Sequence, residues 1–321
     1  MKAFFQFSLL YFAIALGFLF LVREDPGQTL ISTVIKTISS YNFLLYRWPY
    51  VVLLLVGGWW LSRKSGFRQR AIPTLYAFFG CLVFSAAFGL IKCTFPYVVP
   101  FYADPMLAKL DANLHFGHDP WVFVHKFSDF IPPRGLELLY FDLWLAAGMF
   151  LPVIIALTDT DIKRTNRYLI LFVFCWIGLG NVLAIAFSSV GPVYYDRLLD
   201  TQRFAGLTLA LESSGLRGGI MGRIQDYLWM QYEQNGQSFG SGISAFPSMH
   251  VGVATVVAFY LAERSRFLMP LGVLFLVAIT FCSVYNGWHY AVDGYVSIIV
   301  ISLAWAVMTR RKVTFPRVVA A

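Results

Sequence analysis

The sequence predicts an all-α polytopic membrane protein, a helical bundle of about eight transmembrane helices. Three observations carry that expectation. Of the 321 residues, 58% are hydrophobic and only 13% charged, whereas a soluble globular chain carries roughly 25% charged residues. Runs of about 20 mainly apolar residues, the length that crosses a bilayer, recur along the whole chain. Basic residues gather in the short segments between those runs. The composition excludes a disordered chain, a nucleic-acid-binding domain and an ordinary cytosolic enzyme. The net charge of +8 fits basic loops on one side of a membrane.

Taken in order, the candidate spans are 3–22, 43–62, 72–91, 137–157, 168–190, 247–262, 267–284 and 289–309. The first is longer than the roughly 7–15 residues of a signal-peptide core and is read as an uncleaved anchor. Arg47 and Pro49 interrupt the second. The sixth is short and holds His250. Charge then sets the orientation. Arg63, Lys64, Arg68 and Arg70, then Lys163, Arg164 and Arg167, then Arg264 and Arg266, and the tail from Arg310 fall on one side together with Lys2. The positive-inside rule makes that side, and both termini, cytoplasmic. The longer segments 23–42, 92–136 and 191–246 are expected to face outward, to the periplasm or the exterior of a plasma or inner membrane. All five histidines land on the outward side.

The cysteines, Cys81, Cys93, Cys175 and Cys282, form no CxxC pair. They are read as buried thiols rather than a disulfide framework or a zinc site.

Two outward loops carry organisation of their own. In the segment 101–119, Asp104 is expected to cap a helix that opens with Pro105. Met106, Leu107, Leu110 and Leu114 recur at helical spacing, which predicts a short helix lying in the membrane interface. His115, His118 and Asp119 have a metal-compatible spacing, but are read as polar residues at a wet interface. The segment 191–246 is too long for a simple connection. Ile220, Ile224, Tyr227, Leu228, Trp229 and Tyr232 predict an amphipathic helix around 215–233 that caps a site. Its arginines, Arg197, Arg203, Arg217 and Arg223, are candidates to grip a phosphate as a bidentate fork, with Arg197 first.

Two stretches carry chemistry. Gly240 to His250 (Gly-Ser-Gly-Ile-Ser-Ala-Phe-Pro-Ser-Met-His) enters the sixth span from outside. Tyr285 to Asp293 (Tyr-Asn-Gly-Trp-His-Tyr-Ala-Val-Asp) enters the eighth. Both are helix starts, whose unpaired N–H groups and positive dipole end favour an anion such as phosphate. His289 and Asp293 stand four apart and share a helix face. An aspartate accepting the Nδ1 proton leaves Nε2 as a nucleophile. His250, at the same depth on another helix, is placed to protonate a leaving oxygen and then to activate the acceptor. A lone interfacial histidine is more often structural, and a lone HxxxD arises by chance. The joint occurrence of both stretches on one face points to catalysis.

Pro247-Ser248-Met249-His250 and His289-Tyr-Ala-Val-Asp293 resemble the second and third signatures of the type 2 phosphatidic acid phosphatase (PAP2) superfamily. The resemblance spans roughly 72–309 as a six-helix catalytic core, behind two N-terminal helices in 1–71 and before a basic tail, 310–321. It implies that His250 is the general acid, His289 the nucleophile that becomes a phosphohistidine, and Asp293 its orienting partner, with no metal and no cofactor. Two features depart from the family pattern. The arginine usually found six residues before the nucleophile is Ser283, and the first signature, a lysine followed after six residues by Arg-Pro, has no Arg-Pro pair to match. The pattern looks more like the branch of inositol phosphorylceramide synthases and sphingomyelin synthase-like transferases. Tyr195, Arg197, Ser248, Gly240 and Gly242 are the candidate phosphate clamp.

The implied function is that of a lipid phosphotransferase or phosphatase at the outer membrane face. Its substrate is a membrane lipid with a phosphate headgroup, and the phosphoryl or headgroup-phosphate passes to water or a hydroxyl acceptor, with no nucleic-acid partner. The alternative is a lipid transporter or flippase, for which Asp142 and Asn181 are the polar residues within the spans.

Overall fold

The computed structural model describes residues 1–47, 67–234 and 242–310, among which helix is the only regular structure. Among the described residues, five helices are long and apolar enough to cross a membrane: α1 (Lys2–Val22), α3 (Phe67–Lys92, overlapping the apolar stretch Gln69–Val98), α5 (Pro133–Thr158), α6 (Ile162–Ala186) and α12 (Ala291–Arg310). The chain is an integral membrane protein. Between these lie α2 (Pro26–Arg47), α4 (Asp104–Leu114), α7 (Pro192–Leu199), α8 (Ala205–Ser213), α9 (Ile220–Glu233), α10 (Met249–Arg264) and α11 (Met269–Tyr285). Leu271, Leu274 and Val277 on α11 and Ile299 and Leu303 on α12 are exposed. A soluble monomer rarely shows so large an apolar patch, whereas a bilayer covers it.

The second expected span, 43–62, lies outside the described residues from 48 onward, as does the tail from 311. Residues 23–42, read above as an outward segment, are instead mostly helix α2. Its buried stripe is polar: Thr29, Thr33 and Thr37 follow at four-residue spacing, while Ile31, Ile35 and Ile38 point out. Averaged hydropathy hides such a helix, because the polar stripe cancels the apolar one. Tyr41 anchors it through a hydrogen bond with Ser85 on α3 (3.2 Å).

α1 packs along α3 through Phe4, Tyr11, Ala15 and Leu19, and the Tyr11 ring lies 5.0 Å from Phe84. α10 runs through the centre of the bundle. At Gly252 an added Cβ would come within 2.8 Å of Leu179 and 2.9 Å of the Cys175 sulfur on α6, so a side chain there would displace both and loosen this close approach. Both α5 and α6 contain a π-helical stretch, Leu138–Leu143 and Cys175–Leu183. Such bulges re-aim side chains and are common at functional sites. All four cysteines are free and buried.

One end of the bundle is basic. Asp159 accepts from Arg164 (2.6 and 2.7 Å), Arg264 (2.9 Å) and the Tyr260 hydroxyl (3.0 Å), which ties the ends of α5, α6 and α10 together. Burial alone would raise the Asp159 carboxyl, but the hydrogen bonds from Arg164, the Asp161 N–H and Tyr260 hold it down at about 2. His250 sits at the other end of α10, about 20 Å away at 1.5 Å per residue. His115 and His125 lie at that end too, bonded to Tyr295 and to the Tyr285 carbonyl.

Candidate active site

The site is built on two helix starts. Ser248 is the N-cap of α10, its hydroxyl accepting from the Val251 N–H (3.4 Å). This sets His250 on the first turn. Its ring stacks on Tyr140 (centroids 4.1 Å apart, planes at 9°) and against Trp144 (4.0 Å, 32°). The Trp144 indole N–H also donates to the His250 carbonyl (2.9 Å). Tyr140 comes from the π-helical stretch of α5 and Trp144 from the residue that follows it.

His289 precedes α12 and is buried. Its Nδ1 lies 3.3 Å from the Asp293 carboxylate, which also accepts from the Tyr290 N–H (3.1 Å). Asp293 is fully buried. The two helix starts are fastened to each other: the Ser248 N–H donates to the Asp293 carbonyl (3.2 Å), and the Ser297 hydroxyl lies between the Asp293 and Ser248 carbonyls at 2.8 and 2.9 Å. This clamp brings the His250 and His289 rings to 5.9 Å.

Both histidines line a cavity of about 700 Å³. Phe88, Trp144, Met149 and Trp176 form its apolar wall, and Ile224, Tyr227 and Leu228 of α9 cover it. Helix α9 overlaps the amphipathic helix expected at 215–233.

The candidate phosphate clamp divides. Gly242 lines the cavity, while Gly240 lies outside the described residues. The Ser248 hydroxyl accepts in the α10 cap and does not line the cavity. Tyr195 packs on Phe204 (5.1 Å), and Arg197 pairs with Asp226 (3.3 Å); neither lines the cavity. Arg217 shares Asp226 (2.6 Å) and Arg203 pairs with Asp119 (3.0 Å). Two lysines line it: Lys36 of α2, whose Nζ donates to the Tyr227 hydroxyl (2.9 Å), and Lys92 at the end of α3; the sequence reading passed over both. Lys92 is followed after six residues by Val99-Pro100. The lysine, spacing and proline of the first signature therefore stand with valine in place of arginine, and a search keyed to Arg-Pro misses them.

Two acids correct the reading of the helix starts. Asp104 does not cap its own helix: it accepts from the Val190 and Gly191 N–H groups (2.9 Å each) and from the Tyr290 hydroxyl (3.0 Å). Asp111 accepts from the Ala291 (3.1 Å) and Val292 (2.9 Å) N–H groups. The first N–H groups of α12, expected to face a phosphate, are thus filled by the protein's own carboxylates. Burial raises both carboxyls, and these N–H bonds pull them part of the way back. Among the described residues, no three His, Cys, Asp or Glu side chains gather as a metal site.

A family model described as the PAP2 superfamily matches residues 105–307. No curated protein and no solved structure matches the chain.

Proposed function

The chain belongs to the PAP2 superfamily, which supports an activity of phosphatase or phosphotransferase type, and from that premise we propose that it acts on a membrane lipid phosphate through a phosphohistidine at His289. One observation carries this reading: two histidine rings stand 5.9 Å apart on the wall of a largely apolar cavity that Lys92 and Lys36 also line. That separation lets one phosphoryl group touch both rings, and the apolar wall suits a lipid chain.

The steps balance as follows. Lys92 holds the non-bridging oxygens and neutralises their charge. The Nε2 lone pair of His289 attacks phosphorus as its Nδ1–H donates to Asp293. The N–P bond forms, the P–O bond to the leaving group breaks, and His250 gives that oxygen its proton. In the second half, His250 takes a proton from the acceptor hydroxyl, a new P–O bond forms, and the N–P bond breaks. Water as acceptor makes a phosphatase; a lipid or polyol hydroxyl makes a transferase. In this reading the site faces the outer membrane surface, because the basic end of the bundle lies opposite the histidines.

The test is phosphate release from a panel of lipid phosphates by purified protein in detergent with EDTA present, in parallel with His289→Ala. Release in the wild type and none in the variant is expected. Equal release in both overturns the histidine mechanism. If no phosphate appears, the same proteins are given diacyl phospholipid donors and hydroxyl acceptors. A new lipid then identifies the transferase, and its absence favours transport.

A further inference from the structure

We propose that Asp111 is a positioning residue for the His289–Asp293 pair, acting from α4 by capping the first turn of α12; this rests on the histidine reading above. The start of a helix leaves N–H groups that need partners. In α12 two carboxylates meet that need. Asp293 takes the Tyr290 N–H, and Asp111 takes the next two, one per oxygen, at 3.1 and 2.9 Å. Asp111 is only 3% exposed, so its bonds are not traded for water, and it reaches α12 from 180 residues away in sequence.

Asp104, two turns earlier on the same face of α4, adds the Tyr290 hydroxyl. The three residues that follow His289 are therefore each held by an acid from one short helix. Upstream, the His289 N–H donates to the Ser283 carbonyl (3.3 Å), and the Asn286 and Gly287 carbonyls accept from Gln225 and from the Val193 N–H (2.9 Å each). Those bonds seat the loop before His289, whereas the acids of α4 set the first turn of α12, which carries Asp293. Removing Asp111 strands two buried N–H groups, a costly state that the first turn of α12 relieves by shifting. Such a shift carries both His289 and Asp293 relative to His250 on α10. The opposite face of α4, with Met106, Leu110 and Leu114 exposed, is apolar and seats the brace in the membrane interface.

Asp111→Ala and Asp111→Asn are compared with wild type and His289→Ala in detergent. The readouts are thermal stability, kcat and KM on a short-chain diacylglycerol phosphate, and the ¹⁵N imidazole signals of His289 without substrate. Asp111→Ala is expected to lower kcat about 100-fold with KM held within about twofold, as a displacement of roughly 1 Å does. Asp111→Asn keeps one acceptor oxygen and is expected to recover about tenfold of that loss. The His289 signals move in the alanine variant and stay near wild type in the asparagine variant. Unchanged kcat with unmoved imidazole signals overturns the proposal, and so does a fall in affinity that accounts for the whole effect. If Asp111→Ala does not fold, Asp111→Asn carries the test, and a kcat equal to wild type overturns it. If the wild type turns over no donor, the histidine reading fails, and the imidazole signals alone decide the role of Asp111.

Discussion

Trp144 holds His250 from two directions: its indole N–H donates to the His250 carbonyl at 2.9 Å while its ring lies 4.0 Å from the imidazole. The first contact fixes the backbone of the turn and the second fixes the side chain. Trp144→Phe keeps the ring and loses the donor. It is expected to cost about 1 kcal/mol of stability and to lower kcat several-fold. Trp144→Ala removes both and leaves a void, for about 3–5 kcal/mol. Thermal unfolding with kcat on the same samples separates the two. Equal losses in both variants would show that the ring contact contributes nothing.

Lys92 lines the same cavity as both histidines. Lys92→Met is expected to raise KM for a lipid phosphate and weaken vanadate inhibition about 10–100-fold, the range for losing one charged hydrogen-bond donor to an oxyanion. Lys92→Arg keeps the charge and should retain part of both. Vanadate inhibition unchanged in Lys92→Met would assign the clamp elsewhere, with the backbone around Gly242 next.

What the sequence made legible follows from where each signal lies. Hydropathy averages found α1, α3, α5, α6 and α12, because each is apolar over a whole span. The Pro247–His250 and His289–Asp293 stretches were legible because their residues are adjacent or one helical turn apart, and the structure brings both histidines to one cavity. Helix α2 was hidden because Thr29, Thr33 and Thr37 dilute its average. Asp111 was hidden for a different reason. Its partners, Ala291 and Val292, are 180 and 181 residues away, and no local pattern announces a cap supplied by another helix. The arginines of 191–246 were misleading in a third way: each looked available for phosphate, yet Arg197, Arg203 and Arg217 found nearby aspartates.

The basic end of the bundle makes a pH prediction. Asp159 is held at about 2 in the folded protein, below the roughly 3.9 of an unfolded aspartate. A lowered carboxyl stabilises the fold above its unfolded pKa, and that contribution is lost as pH falls through the folded value. The stability advantage of wild type over Asp159→Asn should therefore be full above about pH 4 and shrink steadily toward pH 2. Thermal unfolding of both proteins across that range measures it. A pH-independent difference would mean that the hydrogen bonds matter and the charge does not.

Gly191 joins the fold to the site at one backbone position. Its φ is +87°, a region that side chains avoid, and a Cβ there would collide with the Trp288 carbonyl and come within 3.0 Å of the Ala245 Cβ. Its N–H is held by Asp104, and Val193, two residues on, donates to the Gly287 carbonyl (2.9 Å). The segment that carries His289 thus lies directly against Gly191. Gly191→Ala carries a conformational cost of about 1–3 kcal/mol and must also push Trp288 away. The expected result is a lower unfolding temperature together with a loss of kcat larger than that of Ser297→Ala. That second variant removes only the hydroxyl shared by the Ser248 and Asp293 carbonyls, and each of these keeps a backbone N–H partner, from Gly252 and from Ser248. Its cost should be about 1 kcal/mol. If Ser297→Ala proves the more damaging to kcat, the clamp between the two helix starts outweighs the seat of the His289 loop in setting the distance between the histidines.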